Sequence, residues 1–543
     1  MTDGSVTMRS ATPSLLRETA PYLLGFFALA AIYILTSPSN HSLSHDSYWY
    51  ARMITQGSVG EVEHPRLFLW LASMQLLYGA AGLFTPDPDV YRLVGVANAI
   101  QAALAVMLFV RLAVRDLDLD RQSAWLAAGL MAFTYGLWRY STEIEVYASV
   151  SLLSVLLLLG AFRITRLEAE RRVSAVLLLA LLGGFATLVY QPVGLLAGIA
   201  IPGFLLLSLG FRAALYYCLL SGVIVATGTW LASVLAAETV THEGVDFILD
   251  TKAVGVRMPD LMTPAKLVHG LGYVVLSTNW ILALEPIQEL FARIAPQRSY
   301  AAEIYAAEHA GPQIWVAFAT IPAALLLIAR IIWTAIRNRL GTRVSLVEAT
   351  IWLWLVLHTA MILAISPGTH EPWIPAFAAI FALVGRRLIM PVVSSGHSAL
   401  VAGLLGVFVL HNAAAGMGVL VSRDGDYLNN RGAAALDLTQ PGDLVIMSAH
   451  RPFAEYLRYH GMTNVIDIRE DGFARAQNAV QAARVDGTKI WFLDDAVEPP
   501  RHVRAENGDL ATAISEFSGK YIQASRREAL ADTGWIYPAE PTK

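Results

Sequence analysis

Apolar residues along this chain fall into long blocks and not into alternation. Eleven blocks have roughly the length of a membrane crossing: residues 20–36, 91–110, 122–138, 146–162, 173–190, 193–209, 213–236, 313–335, 346–365, 373–389 and 398–421. A hydrocarbon core of about 30 Å takes roughly 20 apolar residues per helix, so the pattern predicts about 11 transmembrane helices. Past Ser422 the pattern changes. Leu444–Met447, Asn464–Ile468 and Lys489–Leu493 are short apolar runs of strand length. Helical periodicity in Phe453–His460, Phe473–Val485 and Leu510–Tyr521 separates or follows them. Strands alternating with helices predict a small α/β domain with a mostly parallel sheet. The expected division is a transmembrane domain over 1–421, with external loops 37–90 and 237–312, and a soluble α/β domain over 422–543.

Composition overrides what length alone suggests. The 543 residues are 55% apolar and 15% charged, with a mean hydropathy of +0.51; an average soluble domain is about 25% charged. The net charge of −4 gives no reason to expect nucleic acid. The single cysteine, Cys218, excludes an internal disulfide framework. No small-residue cleavage site follows the first apolar block, which is therefore read as a retained helix.

Charge sets the orientation, because short loops rich in Lys and Arg stay cytoplasmic. With the N-terminus inside, Arg111, Arg115 and Arg121, then Arg163, Arg166, Arg171 and Arg172, then Arg212, Arg330, Arg337, Arg339, Arg343, Arg386 and Arg387 all fall on the cytoplasmic side. Tyr190–Val193 and Ser366–Pro372, on the other side, carry neither Lys nor Arg. Counting Leu67–Leu83 or Lys266–Leu284 as a crossing breaks this alternation. Both are expected to lie in the outer interface, with Trp70, Tyr273 and Trp280 at headgroup depth. The soluble domain then faces outward, along with both long loops.

Two strings place ionisable groups at the outer boundary, where they are costly unless paired or facing a wet cavity. Ser44–Leu71 reads SHDSYWYARMITQGSVGEVEHPRLFLWL and carries Asp46, the aromatic run Tyr48, Trp49 and Tyr50, and the triplet His64, Pro65 and Arg66. Trp138–Tyr147 reads WRYSTEIEVY and carries Arg139, Glu143 and Glu145. The bland reading of the second string is an interfacial ion pair between Arg139 and Glu143, four apart, capping a turn. The functional reading is a substrate cavity bordered by Tyr48, Arg139, Glu143, Glu145 and Tyr147.

The first string resembles the first external loop of the GT-C glycosyltransferases, membrane enzymes that take a sugar from a polyprenyl-phosphate carrier. The resemblance implies that the acid shortly after the first span, Asp46, is the catalytic acid/base. It also implies that the His-Pro step at His64 opens the next surface helix, with Arg66 where the family has a second proline. The second string resembles the protein O-mannosyltransferase-like branch, whose Trp-x-x-Ser-x-x-Ala-Glu-Val-aromatic pattern is matched by Trp138, Ser141, Glu145, Val146 and Tyr147, with Ile144 replacing the alanine. A lipid-phosphate sugar carries its own leaving group. The enzyme must take a proton from the acceptor, which suits Asp46, and must stabilise the departing phosphate, which suits arginine. Arg66 and His64 are the nearest phosphate candidates, with Lys252, Arg257, Arg298 and His370 as alternatives.

The reaction this implies is a single inverting transfer from a polyprenyl-phosphate donor to a hydroxyl or amine of a glycan, lipid or protein. It would occur on the periplasmic face of a bacterial inner membrane. A flippase for a lipid-linked sugar and a glycan-binding module are the rivals, but no internal repeat or midplane polar pair supports transport. In the soluble domain no Gly-rich phosphate loop follows a strand; His450, Asp494 and Asp495 sit at strand ends, where ligands bind in such sheets, and are read first as surface-loop polar residues. No cofactor is expected. Metal is left unassigned, since His41, His45, Asp46, Glu61, Glu63 and His64 lack a tight ligand spacing.

Overall fold

A membrane-spanning helix must satisfy its own backbone, and the apolar blocks do so as helices. In the computed structural model, residues 12–44, 46–57, 67–236, 263–294, 300–338, 344–365, 368–448, 451–522 and 526–539 are described. Among them, ten helices are long and apolar enough to cross a membrane, and the chain is an integral membrane protein. The first eight helices are α1 (Thr12–Leu35), α2 (Ser47–Thr55), α3 (Phe68–Gly82), α4 (Val90–Arg115), α5 (Arg121–Ala132), α6 (Tyr135–Tyr140), α7 (Tyr147–Ile164) and α8 (Ala169–Val189).

The third expected span, 122–138, is not one helix. It breaks at Thr134, whose hydroxyl caps α6 by accepting from the Leu137 amide. The two pieces still run from one end of the bundle to the other. α5 starts beside the Asp116–Leu119 turn, and α6 ends where Trp138 Nε1 donates to Thr36 Oγ1 at 2.8 Å, at the end of α1. Among the described residues, α5 and α6 together thus stand beside the ten long helices as a path in two parts.

The arginines gather at one end. Arg166 donates to the Arg115 carbonyl at 2.8 Å and pairs with Asp116 at 3.1 Å. Arg386 reaches the Leu117 carbonyl and lies 3.2 Å from Glu348, which Arg387 also pairs. The opposite end carries α2 and the C-terminal domain. α3, with 15 residues, is about 22 Å long and too short to cross. The Lys266–Leu284 stretch divides into a helix, Thr263–Val275, and a short 3-10 turn, Asn279–Ala283.

The C-terminal domain holds a five-stranded sheet of order β2-β1-β3-β5-β4. β1 (Leu444–Met447) pairs parallel with β2 (Asn464–Asp467) and with β3 (Ile490–Leu493). β5 (Trp535–Pro538) and β4 (Glu528–Ala529) add an antiparallel edge that the sequence pattern did not reveal. The three parallel strands are covered on both faces, as their unbroken apolar character requires. One face packs Val445, Met447 and Leu493 against Phe453 and Leu457. The other packs Ile446 and Phe492 against Val480 and Ile514.

Candidate active site

The loop carrying Asp46 is fixed from a distance in sequence. The Ser39 and Asn40 amides both donate to the Leu420 carbonyl, at 3.1 and 3.0 Å, at the end of the last span. Asn40 Nδ2 donates to the Gly425 carbonyl at 2.7 Å. Ser42 donates to Asp426 and accepts from the Leu428 amide at 2.7 Å. This pinned loop delivers Asp46 to the N-cap of α2. Aspartate is a favoured N-cap residue because its carboxylate accepts from the first turn, yet Asp46 makes no such side-chain bond. Asp46 is solvent-exposed.

Opposite stands the Trp138–Tyr147 string, folded as α6, a tight turn and the start of α7. Asn98 on α4 holds that turn by donating to the Glu143 and Glu145 carbonyls at 2.7 and 2.8 Å. Gly95, one helical turn earlier, lets α4 approach; a Cβ there would lie 3.1 Å from the Thr142 carbonyl oxygen. Glu145 is buried, and Ser44 Oγ donates to its Oε1 at 2.9 Å. Burial raises its carboxyl well above the usual carboxylate range, and the negative charges of Asp46 and Glu371 push the same way. Burial, then Glu145, Asp46, Tyr190 and Glu371, likewise raise the Tyr50 phenol. These five groups therefore share one locus.

A second arm of the site comes from the start of the 371–394 span. Tyr140 Oη lies 2.8 Å from His370 Nε2 and donates to Glu371 Oε1 at 3.0 Å. His370 Nε2 and Glu371 Oε1 are 3.3 Å apart. Tyr147 stacks edge-on to Tyr140 at 5.3 Å and to Tyr190 at 5.8 Å, measured between ring centroids. Arg139 pairs with Glu143 at 3.1 Å, both fully enclosed, and its guanidinium lies 4.8 Å over the Tyr140 ring. Arg139 Nη2 and Glu143 Oε2 make no hydrogen bond among the described residues. The ion pair of the bland reading thus exists, but it leaves a buried guanidinium donor unspent.

Of the residues singled out from sequence, the structure brings Asp46, Arg139, Glu143, Glu145, Tyr147 and His370 together. Tyr48 is a correction. It faces away from the acid cluster, against Tyr456 at 4.9 Å and Tyr91 at 5.8 Å. The physical reason is helical: Tyr48 and Tyr50 are about 200° apart around α2, so both cannot face the acids. His45, Glu61, Glu63, His64, Arg66, Lys252, Arg257, Arg298 and His450 lie outside the described residues. Asp494 is engaged structurally, pairing with Arg431 and accepting from the Trp535 amide at 3.1 Å. Sequence reasoning had Tyr50 within the aromatic run beside Asp46 but missed Ser44, Asn98, Tyr140, Tyr190 and Glu371 as members of the site. Glu371 adjoins His370, and Tyr190 sits in an uncharged loop between spans; both signals were visible. Among the described residues no three His, Cys, Asp or Glu side chains group closely enough to hold a metal.

The chain superposes on the crystal structure of ArnT from Cupriavidus metallidurans bound to undecaprenyl phosphate over 96% of its own length and all of that chain, with a TM-score of 0.54 and 11% identity. The fold is of the GT-C type. The Archaeoglobus fulgidus oligosaccharyltransferase tethered to an acceptor peptide with an NVT sequon is also similar, at 12% identity, 98% and 75% coverage and a TM-score of 0.49. So is the AglB oligosaccharyltransferase of the same organism in complex with an inhibitory peptide and a dolichol-phosphate, at 13% identity, 96% and 74% coverage and a TM-score of 0.47. No family model and no curated protein matches the chain in sequence.

Proposed function

We propose that the chain is a GT-C glycosyltransferase that moves a sugar from a polyprenyl-phosphate donor to a hydroxyl or amine, with Asp46 as general base. The observation that carries this reading is the placement of Asp46. Within a GT-C fold, an exposed carboxylate follows the first span, is not used to cap its helix, and faces a wall of tyrosines and enclosed acids. ArnT, bound to undecaprenyl phosphate in its structure, is the fold neighbour that makes a lipid-phosphate donor the first choice.

The chemistry is one displacement. The acceptor oxygen or nitrogen attacks the anomeric carbon and gives its proton to Asp46, while the bond from that carbon to the phosphate oxygen breaks and polyprenyl phosphate leaves. Carbon inverts. Glu145, biased toward its protonated form by burial, adds no second full charge beside the base and offers a hydrogen-bond donor to the sugar. The unspent N–H of Arg139 is the described donor suited to the departing phosphate, and His370, beside Tyr140, keeps its candidate role there. Arg66, His64 and Arg257 keep the same role in this proposal. The arginine distribution supports an orientation with this site on the outer face, which the proposal takes to be the periplasmic face of a bacterial inner membrane. The Trp138–Tyr147 string supports placement in the mannosyltransferase-like branch.

The test is Asp46→Asn in purified protein, with transfer and donor binding measured on the same sample. A positioned base contributes about 10²–10⁴ in rate, so transfer should fall by that factor while the donor still binds. Near wild-type transfer in this variant removes the base from the reading. A chain that moved lipid-linked sugar across the bilayer without consuming it would instead be a flippase.

A further inference from the structure

A cleft of about 700 Å³ opens at the same end of the bundle, on the Tyr48 side of α2, and reaches Thr142 in the turn that carries Glu143. Its mouth is built from the ends of three spans. Ile34 and Leu35 close α1, Val96 stands on α4, and Arg423 follows the last span. Leu35 is 84% exposed, on the surface where lipid chains lie. Arg92, in the first turn of α4, is the second cation of the rim. Deeper in, the walls are His41, Tyr91, Asn429, Tyr459 and His460.

Charge inside the cleft is unevenly spent. Both carboxylates are occupied by backbone amides: Asp89 accepts from the Arg92 amide at 3.1 Å, and Asp426 accepts from the Asn429 and His41 amides at 3.0 and 3.2 Å. Neither Arg92 nor Arg423 forms an ion pair among the described residues. Two shielded polar atoms on the wall, His41 Nδ1 and Tyr91 Oη, have no hydrogen-bond partner among them either. Polar atoms removed from water are ordinarily bonded. Two guanidiniums outside any described ion pair, with Arg423 near enough to Asp426 to act on it through space, two unspent polar atoms and an apolar lip together match an amphiphile with an anionic, hydrogen-bonding head.

We propose that this cleft binds the phosphate-bearing headgroup of a membrane lipid, with Arg92 and Arg423 on the phosphate and the acyl chains along Ile34, Leu35 and Val96. Guanidinium suits the role because its planar fork matches phosphate oxygens. Neither Asp46 nor Glu145 lines the cleft, so the proposal stands whether or not Asp46 is a base.

The experiment is equilibrium binding by the full chain in neutral detergent. The probes are dioctanoyl phosphatidic acid, dioctanoyl phosphatidylcholine and inorganic phosphate. Phosphatidic acid should bind saturably and tighter than either of the others. The double variant Arg92→Gln/Arg423→Gln should weaken it by about ten- to a hundredfold, the range for losing charge-assisted contacts. Both arginines are exposed, and unchanged gel filtration and melting verify the variant's fold. Arg92→Lys/Arg423→Lys, which keeps the charge, should recover part of the affinity. Leu35→Ser should weaken phosphatidic acid and leave inorganic phosphate unchanged. Wild-type affinity in the Gln pair overturns the proposal, as does inorganic phosphate binding as tightly as the lipid. Binding that survives in the Gln pair but disappears in His370→Gln moves the lipid to the acid cluster and also overturns it.

Discussion

A carboxylate at a helix N-cap is usually worth about 1 kcal/mol through the amide it accepts. Asp46 occupies that position without making the bond. Asp46→Asn should therefore melt within about 3 °C of the wild type while losing transfer, and calorimetry on the purified pair checks it. Glu145→Gln should be far milder, because burial already favours the uncharged form that glutamine imitates; a kcat more than about tenfold down would show that its ionised form is used. A third carboxyl gives a pH signature in the soluble domain. Burial and the nearby Asp495 raise Asp467 from 3.8 to about 7. The folded state thus holds that proton more tightly, and the associated stability, full below about pH 3.8, is lost as pH rises through 7. Asp467→Asn should melt like wild type near about pH 3.5 and increasingly above it as pH rises to about 7, read by thermal melts of the full chain. At this scale the sequence disclosed Asp46, Glu145 and His370, since an ionisable group beside an apolar block stands out. It did not disclose Tyr50, Tyr190 or Glu371 as partners, because their meeting depends on how four separate segments converge.

At the scale of elements, the site depends on two clamps. One is the α4 surface, where Gly95 and Asn98 hold the turn that carries Glu143 and Glu145. Gly95→Ala must push that turn by a few tenths of an ångström against a backbone oxygen. The expected result is loss of transfer exceeding any loss of melting temperature; equal losses would mean the glycine serves packing alone. The other clamp is helix Arg451–Tyr459 of the soluble domain, which lies on α2. Arg52 Nε pairs with Glu455 at 2.8 Å, Arg458 pairs with the same glutamate at 2.7 Å, and the Arg451 guanidinium sits 5.9 Å over Trp49. Element identity was readable where apolar runs were long, and the parallel strands were readable from their continuous apolar character. The break at Thr134 was not, since the hydrophobic block passes through it undisturbed. The edge pair β4 and β5 was not either: β4 is two residues long, and β5 contains Pro538.

Across the whole molecule, the soluble domain is part of the support of α2 and not an appendage. Tyr48 belongs to the same buried cluster as Phe453, Leu457 and Met447. Ending the chain after Ser422 removes that cover, along with the Asn40–Gly425 and Ser42–Asp426 bonds. A truncated protein that stays in the membrane should therefore lose donor hydrolysis as well as transfer. Retained hydrolysis would show that the domain serves the acceptor alone. The overall architecture was the most legible level, because span length and arginine placement are dictated by the bilayer itself. The cleft at the α1–α4–Arg423 corner was the least legible, as nothing local in Arg92 or Arg423 marks either as a rim residue.

The pinning of the first loop to the end of the last span also has a meaning in time. Asn40 and Gly425 are 385 positions apart, and Glu455, which holds Arg52, is made later still. At about 5–20 residues per second, roughly 400 residues separate the synthesis of Asp46 from that of its support, an interval of about 20–80 s. Throughout it, a partly inserted chain has an acidic loop with no scaffold. On the proposed reading, the acid gains its supporting contacts only after the residues from Gly425 to Glu455 have been made and have folded over the beginning.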